Sequence, residues 1–329
     1  MCFLLINFSC MKKQKVNRVK SEYPLLQAMC AIHAPSGNEG NMAVFLLNYI
    51  KSNMSKWKVK PKLFYGEGFQ HNLVLVFGKP RTAIFAHIDS IGFTVRYGEE
   101  LVKIGGPAPA DKIKLQGSDS KGARQVTLRH IYNSHKQLIG YKQEGDLFET
   151  GTDLTYAPDW REDKDYVQCC YMDNRLGVYN ALKVAETLQH GAIVFSTWEE
   201  HGGGSVAYLQ KFLAKKYKIA QALISDISWI TNGVKPGEGP VISLRDSLIP
   251  RKVFVNRIRE IAAKNKCRFQ LEVEGSGGSD AKELQMAAYP WDWCFIGAAE
   301  QFVHSPDEKV HKQDIQDMIA LYKALMTHL

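Results

Sequence analysis

The chain has 329 residues, 45% hydrophobic and 23% charged, an ordinary globular composition with room for one large domain or two. No apolar stretch approaches the roughly 20 residues of a membrane-spanning helix, which argues against a membrane protein. The net charge of +8 is concentrated in Lys12, Lys13, Lys15, Arg18 and Lys20, and setting those five aside leaves +3. No basic stripe interleaved with aromatics exists elsewhere, so nucleic acid is not expected as a partner, and residues 1–20 read as a basic, disordered arm.

From residue 21 on, helix and strand patterns alternate. Residues 23–32 have helical periodicity, broken at His33-Ala-Pro35-Ser36-Gly37, and residues 42–54 resume it. Strands are predicted at 72–77, 82–88 and 93–97. Between about 103 and 155 the texture changes to short β-like pieces around Ile113, Gln125 and Leu138, separated by Gly, Ser and Asp, without a helix. Alternation then returns: helix 177–188, strand 192–197, helix 205–216, strand 221–227, helix 253–264, strand 268–273, helix 281–288, strand 293–297 and a closing helix 313–327. This predicts a mostly parallel α/β domain formed by residues 21–89 and 166–329, interrupted by a small β-rich insertion at 90–165.

Four of the apolar runs lead into a histidine or carboxylate. Thr82–Ala86 is followed by His87-Ile88-Asp89, and Ala192–Ser196 by Glu199-Glu200. Ala222–Ser225 leads into Asp226, and Trp293–Ile296 precedes His304; Asp173 opens a helical pattern. Ligands of parallel sheets bind beyond the carboxyl ends of the strands. Taken singly, Asp173 is as well explained as a helix cap and Glu199-Glu200 as a solvated turn. Taken together, acids repeatedly set beside buried strands carry a desolvation cost unless they are paired or metal-bound. The convergence of two histidines with several carboxylates points to a site for two divalent metals.

The seven cysteines (Cys2, Cys10, Cys30, Cys169, Cys170, Cys267, Cys294) lack metal or redox spacing and indicate a reducing, cytoplasmic setting. The apolar opening at residues 1–10 has its charges after rather than before it and no small-residue cleavage site, so Met11 is an equally good start.

The ordered segments His87-Ile-Asp89-Ser-Ile-Gly-Phe, Met172-Asp-Asn-Arg-Leu-Gly177, Trp198-Glu-Glu200, Ser225-Asp-Ile227, Gly278-Ser-Asp280 and Val303-His-Ser-Pro306 resemble the tetrahedral aminopeptidase family. These are the glutamyl aminopeptidases and endoglucanase-labelled proteins among the dinuclear zinc metallopeptidases. The resemblance runs from about residue 25 to 325. It implies a zinc-exopeptidase-like α/β/α sandwich with a small β-barrel-like insertion domain, and an aminopeptidase acting on peptides. It further implies that Asp173 bridges two metals, completed by His87 and Asp226 on one side and by Glu200 and His304 on the other. Glu199 would be the general base and Asp89 would hold the His87 imidazole. The donor set suits zinc, with cobalt or manganese as alternatives. His201 and Asp280 are candidate substrate contacts.

The chain departs from the family in having Glu200-His201-Gly-Gly-Gly204 where Glu-Glu-Val-Gly is usual, Asn174 after the bridging aspartate, and Gln301-Phe302 where Arg-Tyr is common. The insertion reads as trimmed, so a homo-oligomer smaller than the family's dodecamer, a dimer, is the expected assembly. Two rival readings are a related zinc amidase, deacylase or carboxypeptidase, and a non-catalytic binding module on the same fold. Glycoside hydrolysis ranks last, since it needs a carboxylate pair without metals.

Overall fold

The computed structural model describes residues 21–329; the basic arm expected at residues 1–20 lies outside the described residues. In chain order the elements begin with α1 (Pro24–Cys30), α2 (Gly40–Asn53), β1 (Lys62–Phe64), β2 (Leu73–Phe77) and β3 (Ala83–His87). Next come β4 (Gly92–Val95), β5 (Glu100–Ile104), β6 (Lys114–Asp119), β7 (Gly122–Tyr132), β8 (Leu138–Glu144) and β9 (Asp153–Tyr156). β10 (Arg161–Glu162), β11 (Tyr166–Gln168), α3 (Met172–Ala185), β12 (Gly191–Ser196), α4 (Val206–Tyr217) and β13 (Gln221–Trp229) follow. The chain ends with β14 (Val241–Arg245), α5 (Lys252–Lys264), β15 (Gln270–Val273), α6 (Ala281–Met286), β16 (Asp292–Gln301), β17 (Lys309–His311) and α7 (Lys312–His328).

The large sheet runs β1-β2-β12-β3-β13-β16-β17-β11-β10, with β14 and β15 branching from β16. Its centre, β12-β3-β13-β16, is parallel, and the flanking pairs are antiparallel except β14 with β15. The central strands are unbroken apolar runs because both faces are covered. Successive side chains point to opposite faces. On β2, Leu73, Leu75 and Phe77 join one core, while Val74 and Val76 join the other. On β3, Ile84 and Ala86 face the first core and Ala83 and Phe85 the second. Helices α1, α2, α3, α5 and α7 pack on the first face, and α4 and α6 on the second. The result is the expected α/β/α sandwich.

Helix α3 is buried almost all round, and it lies against β13 so closely that a Cβ on Gly177 would sit 2.0 Å from the Ser225 carbonyl oxygen. Asn174 locks this contact, donating to that same carbonyl (2.9 Å) and accepting from the Gly177 N–H (2.8 Å). On the same face, the buried Tyr322 hydroxyl on α7 is shared between the carbonyls of Ile224 (2.7 Å) and Ile296 (2.8 Å), tying β13 to β16.

The insertion closes into a barrel, β4-β5-β8-β7-β6-β9. The chain leaves the sheet just after β3, builds the barrel, and returns through β10 and β11. Six strands complete the closure, and Phe93, Leu115, Leu128 and Leu154 fill it. Shortness hid β5 and β9 in the sequence, and β1, β10, β11 and β17, each two or three residues long, offer no periodicity to read. Helix α3 begins five residues before its predicted start, and Asp226 lies within β13 rather than beyond it, since the strand continues to Trp229. Among the described residues, no helix is long and apolar enough to cross a membrane.

Candidate metal centre

The parallel register brings the ends of the central strands level: Ser196 of β12 pairs with His87 of β3, and Asp226 of β13 with Gly297 of β16. Beyond that edge His87, Asp173, Glu199, Glu200, Asp226 and His304 converge on a cleft of about 330 Å³. Ligand atoms of His87, Asp173 and Glu200 all lie within 4.8 Å of one another.

Asp173 divides its two oxygens between the two imidazoles. His87 Nε2 is 3.2 Å from Asp173 Oδ1 and 3.5 Å from Asp226 Oδ2. His304 Nε2 is 3.3 Å from Asp173 Oδ2 and 3.4 Å from Glu200 Oε2. Ligands about 2.0–2.1 Å from a tetrahedral metal are about 3.3–3.4 Å from one another, so both triads have the spacing of a coordination shell. His304 Nδ1 donates to the Gly106 carbonyl (3.1 Å), and His87 Nδ1 faces Asp89 Oδ1 at 3.3 Å, so both Nε2 atoms are directed into the cluster.

Asp89, fully buried, accepts from the Ser36 hydroxyl (2.6 Å) and from the backbone N–H of Glu199 (3.2 Å) and Glu200 (3.0 Å), so it orients both sides of the cluster. Burial works against its charge, but His87, Ser36 and the Glu200 N–H outweigh burial and lower its pKa. Asp226 accepts from Ser279 (2.6 Å). Three residues beside the ligands, Tyr171, Trp198 and Phe302, adopt left-handed backbone angles, as does His304 itself. Such strain gathers where surrounding structure over-determines a functional geometry.

The electrostatics of the cluster call for cations. Burial pushes Glu199 and Glu200 well above the usual carboxylate range, and neighbouring carboxylates add to the rise in each. Burial disfavours the charged form of His87, yet Asp226 and Asp173 outweigh it and raise its pKa strongly. His304 is raised to about 9 on the same balance, with Asp173 dominant over burial. The residues therefore fit divalent metal: oxygen and imidazole donors at coordination spacing, with buried negative charge in excess.

Two carboxylates escaped the sequence reading. Glu308, fully buried, accepts from the backbone N–H of His304 (2.9 Å) and of Asp173 (3.2 Å), bracing a residue of each triad. Glu300, buried on β16, has no hydrogen-bond partner for either oxygen among the described residues. Glu300 does directly follow the apolar run Trp293–Ala299, a signal of the same kind that the sequence reading passed over, whereas nothing of that kind marks Glu308. The two substrate candidates fall outside the cleft lining. Asp280 has no exposed surface to offer a substrate; burial raises its pKa to about 7, and its Oδ2 accepts from Ser196. Its expected substrate contact is corrected to a supporting position behind the strand ends. His201 is exposed, and its Nδ1 accepts from the Gly105 N–H (3.2 Å).

The fold and chain have known counterparts. An aminopeptidase of the archaeon Desulfurococcus kamchatkensis superposes with a TM-score of 0.79 at 19% identity, covering 92% of this chain and 93% of that one. The TET1 peptidase of Pyrococcus horikoshii, described as assembling into a tetrahedron or a large octahedral shell, gives 0.78 at 21%, covering 94% and 100%. A curated relative in Acetivibrio thermocellus, named for an aminopeptidase function not yet established, is 24% identical over 330 residues, covering 91% of this chain and 96% of its own. These matches do not favour the deacylase, carboxypeptidase or non-catalytic readings. The M42 glutamyl aminopeptidase family model matches residues 142–321, more than half of the chain, a span holding five of the six converging side chains. The chain therefore belongs to the M42 glutamyl aminopeptidase family and is a metal-dependent aminopeptidase.

Proposed function

We propose that this chain removes N-terminal residues from peptides at a dinuclear centre, with zinc as the metal in the cell and cobalt or manganese able to replace it. Asp173 would hold both ions, His87 and Asp226 one of them, and His304 and Glu200 the other. The observation that carries this reading is the division of Asp173 between two imidazoles at 3.2 and 3.3 Å, each imidazole with a further carboxylate beside it. Bound there, the cations would supply Lewis acidity to the scissile carbonyl and to an attacking water.

The chain's own groups do the proton work. Glu199 lines the cleft with its Oε2 3.9 Å from His87 Nε2, farther than the members of either triad. Its raised proton affinity suits a general base that takes a proton from water and passes one to the leaving amine. Asp89 holds His87 and the Glu199–Glu200 main chain in register. Glu199→Gln keeps the shape but cannot accept a proton, so turnover falls by about 10²–10⁴ with metal content nearly unchanged. Glu200→Gln instead loses part of the metal. Identical behaviour of the two variants overturns the division between base and ligand.

A large shell rather than a dimer is the assembly best supported. The barrel is complete, and it exposes Tyr97, Val102, Tyr132, Leu138 and Ile139, apolar side chains of a kind that contact surfaces bury. A fold relative assembles as a tetrahedron or octahedral shell. The free cysteines Cys30, Cys169, Cys170, Cys267 and Cys294 support a cytoplasmic location.

A further inference from the structure

The cleft does not end at the metal cluster. The same space is walled by Ile227, Trp229 and Phe295 and contains three further carboxylates, Asp246, Glu272 and Glu274. Asp246 is 4% exposed and Glu272 7%, so both carboxyls stand at the edge of the protein interior. Among the described residues, no lysine or arginine lines the cleft. Their contacts hold the carboxyls in position without neutralising them: Glu272 Oε1 accepts from the Ser228 hydroxyl (2.8 Å), and Asp246 Oδ1 from the Leu248 N–H (2.6 Å). The neighbouring Arg245 turns its Nε to the Asp246 main-chain carbonyl (3.3 Å), and its charge offsets the burial of Asp246 only in part. Burial raises the pKa of both carboxyls, and the neighbouring Asp246 and Glu274 raise that of Glu272 further, so a cation placed among them would favour their charged forms.

Each class of N-terminal side chain meets this wall differently. An acidic side chain is repelled by three carboxylates. An aliphatic one packs on Ile227, Trp229 and Phe295 but drives water from Asp246 and Glu272 without replacing it, which costs free energy. A long stem ending in a cation satisfies both parts, its methylenes on the apolar walls and its charge on the acids. We propose that this aminopeptidase selects N-terminal lysine and arginine, with Glu272 and Asp246 as the specificity residues and Glu274 at their half-buried margin. The proposal rests on the reading of the neighbouring cluster as the reacting centre.

The test uses the metal-loaded full chain. kcat/KM is measured for lysyl, arginyl, norleucyl and glutamyl p-nitroanilides, and binding of free L-lysine and L-norleucine by calorimetry. Norleucine matches the lysine stem without its charge. Lysyl is expected to exceed norleucyl on the order of 10–100-fold, the range of a hydrogen bond to a charged group. Glu272→Gln and Asp246→Asn should each shrink that ratio, in turnover and in binding. Norleucyl or glutamyl turnover ahead of lysyl sinks the pocket and leaves the reacting centre standing. Equal losses on lysyl and norleucyl substrates in both variants also sink it, because the acids would then hold the α-ammonium common to all substrates. If nothing is cleaved while lysine still binds ahead of norleucine through Glu272, the reacting centre falls and the cationic pocket stands.

Discussion

Gly177 couples the packing of the fold to the geometry of the site. A Cβ there would lie 2.0 Å from the Ser225 oxygen, 2.1 Å from Asn174 Oδ1 and 2.7 Å from the Ser225 carbonyl carbon. Side-chain carbons do not approach closer than 3.0 Å, so Gly177→Ala requires α3 and β13 to separate by about 1.0 Å. The obstacle is main chain inside a sheet and cannot rotate away. Overpacking of this kind costs about 1–3 kcal/mol, and the two Asn174 hydrogen bonds that bridge the contact stand to lose about 1 kcal/mol more. A total of about 2–4 kcal/mol lowers the melting temperature by roughly 4–16 °C in a domain of this class. The melt is followed by circular dichroism in excess chelator, which separates the packing cost from metal binding. Asp173 stands one turn before Gly177 on α3, while Asp226 is on β13, so the same separation pulls the ligands apart. Metal sites tolerate displacements of about 0.2 Å, so the reloaded variant should hold little zinc. A variant that melts within about 2 °C of the parent and binds zinc fully refutes the argument.

Asp173→Ala should lose both metals, since the two triads share this one carboxylate, and elemental analysis after loading reads the count. Tyr322→Phe keeps the ring and removes the hydroxyl shared by the Ile224 and Ile296 carbonyls; chemical denaturation should register a loss of about 0.5–1.5 kcal/mol with metal content intact. Light scattering should give a mass well above two chains of 37.1 kDa, and a dimer would count against the proposed shell.

The residues legible in advance were those whose chemistry conflicts with their surroundings. His87, Asp226 and Glu200 stand against buried β3, β13 and β12, where an unpaired charge is costly, and that conflict is visible in one dimension. The architecture was legible for the same reason, because β2, β3, β12 and β16 are apolar on both faces. Glu308 was not legible, because its role is to accept two backbone N–H groups, and backbone leaves no trace in side-chain pattern. The acidic wall of the cleft was hidden differently. Glu272 alternates with the outward-facing Leu271 and Val273 on β15, reading as the polar half of an ordinary strand until β14 and β13 turn it toward the site. The barrel was read as fragments because its closure depends on which strands meet, which short segments of Gly and charged residues do not declare.

The insertion and the late position of His304 together set a timetable. The cluster draws on residues from His87 to His304, 217 positions apart, with the whole barrel made between Asp89 and Asp173. At about 5–20 residues per second, a ribosome needs roughly 10–40 seconds to pass from the first of these residues to the last. At the end of that interval α7, whose Tyr322 ties β13 to β16, is still to be made. The chain therefore cannot assemble its own reacting centre until nearly all of it has been made.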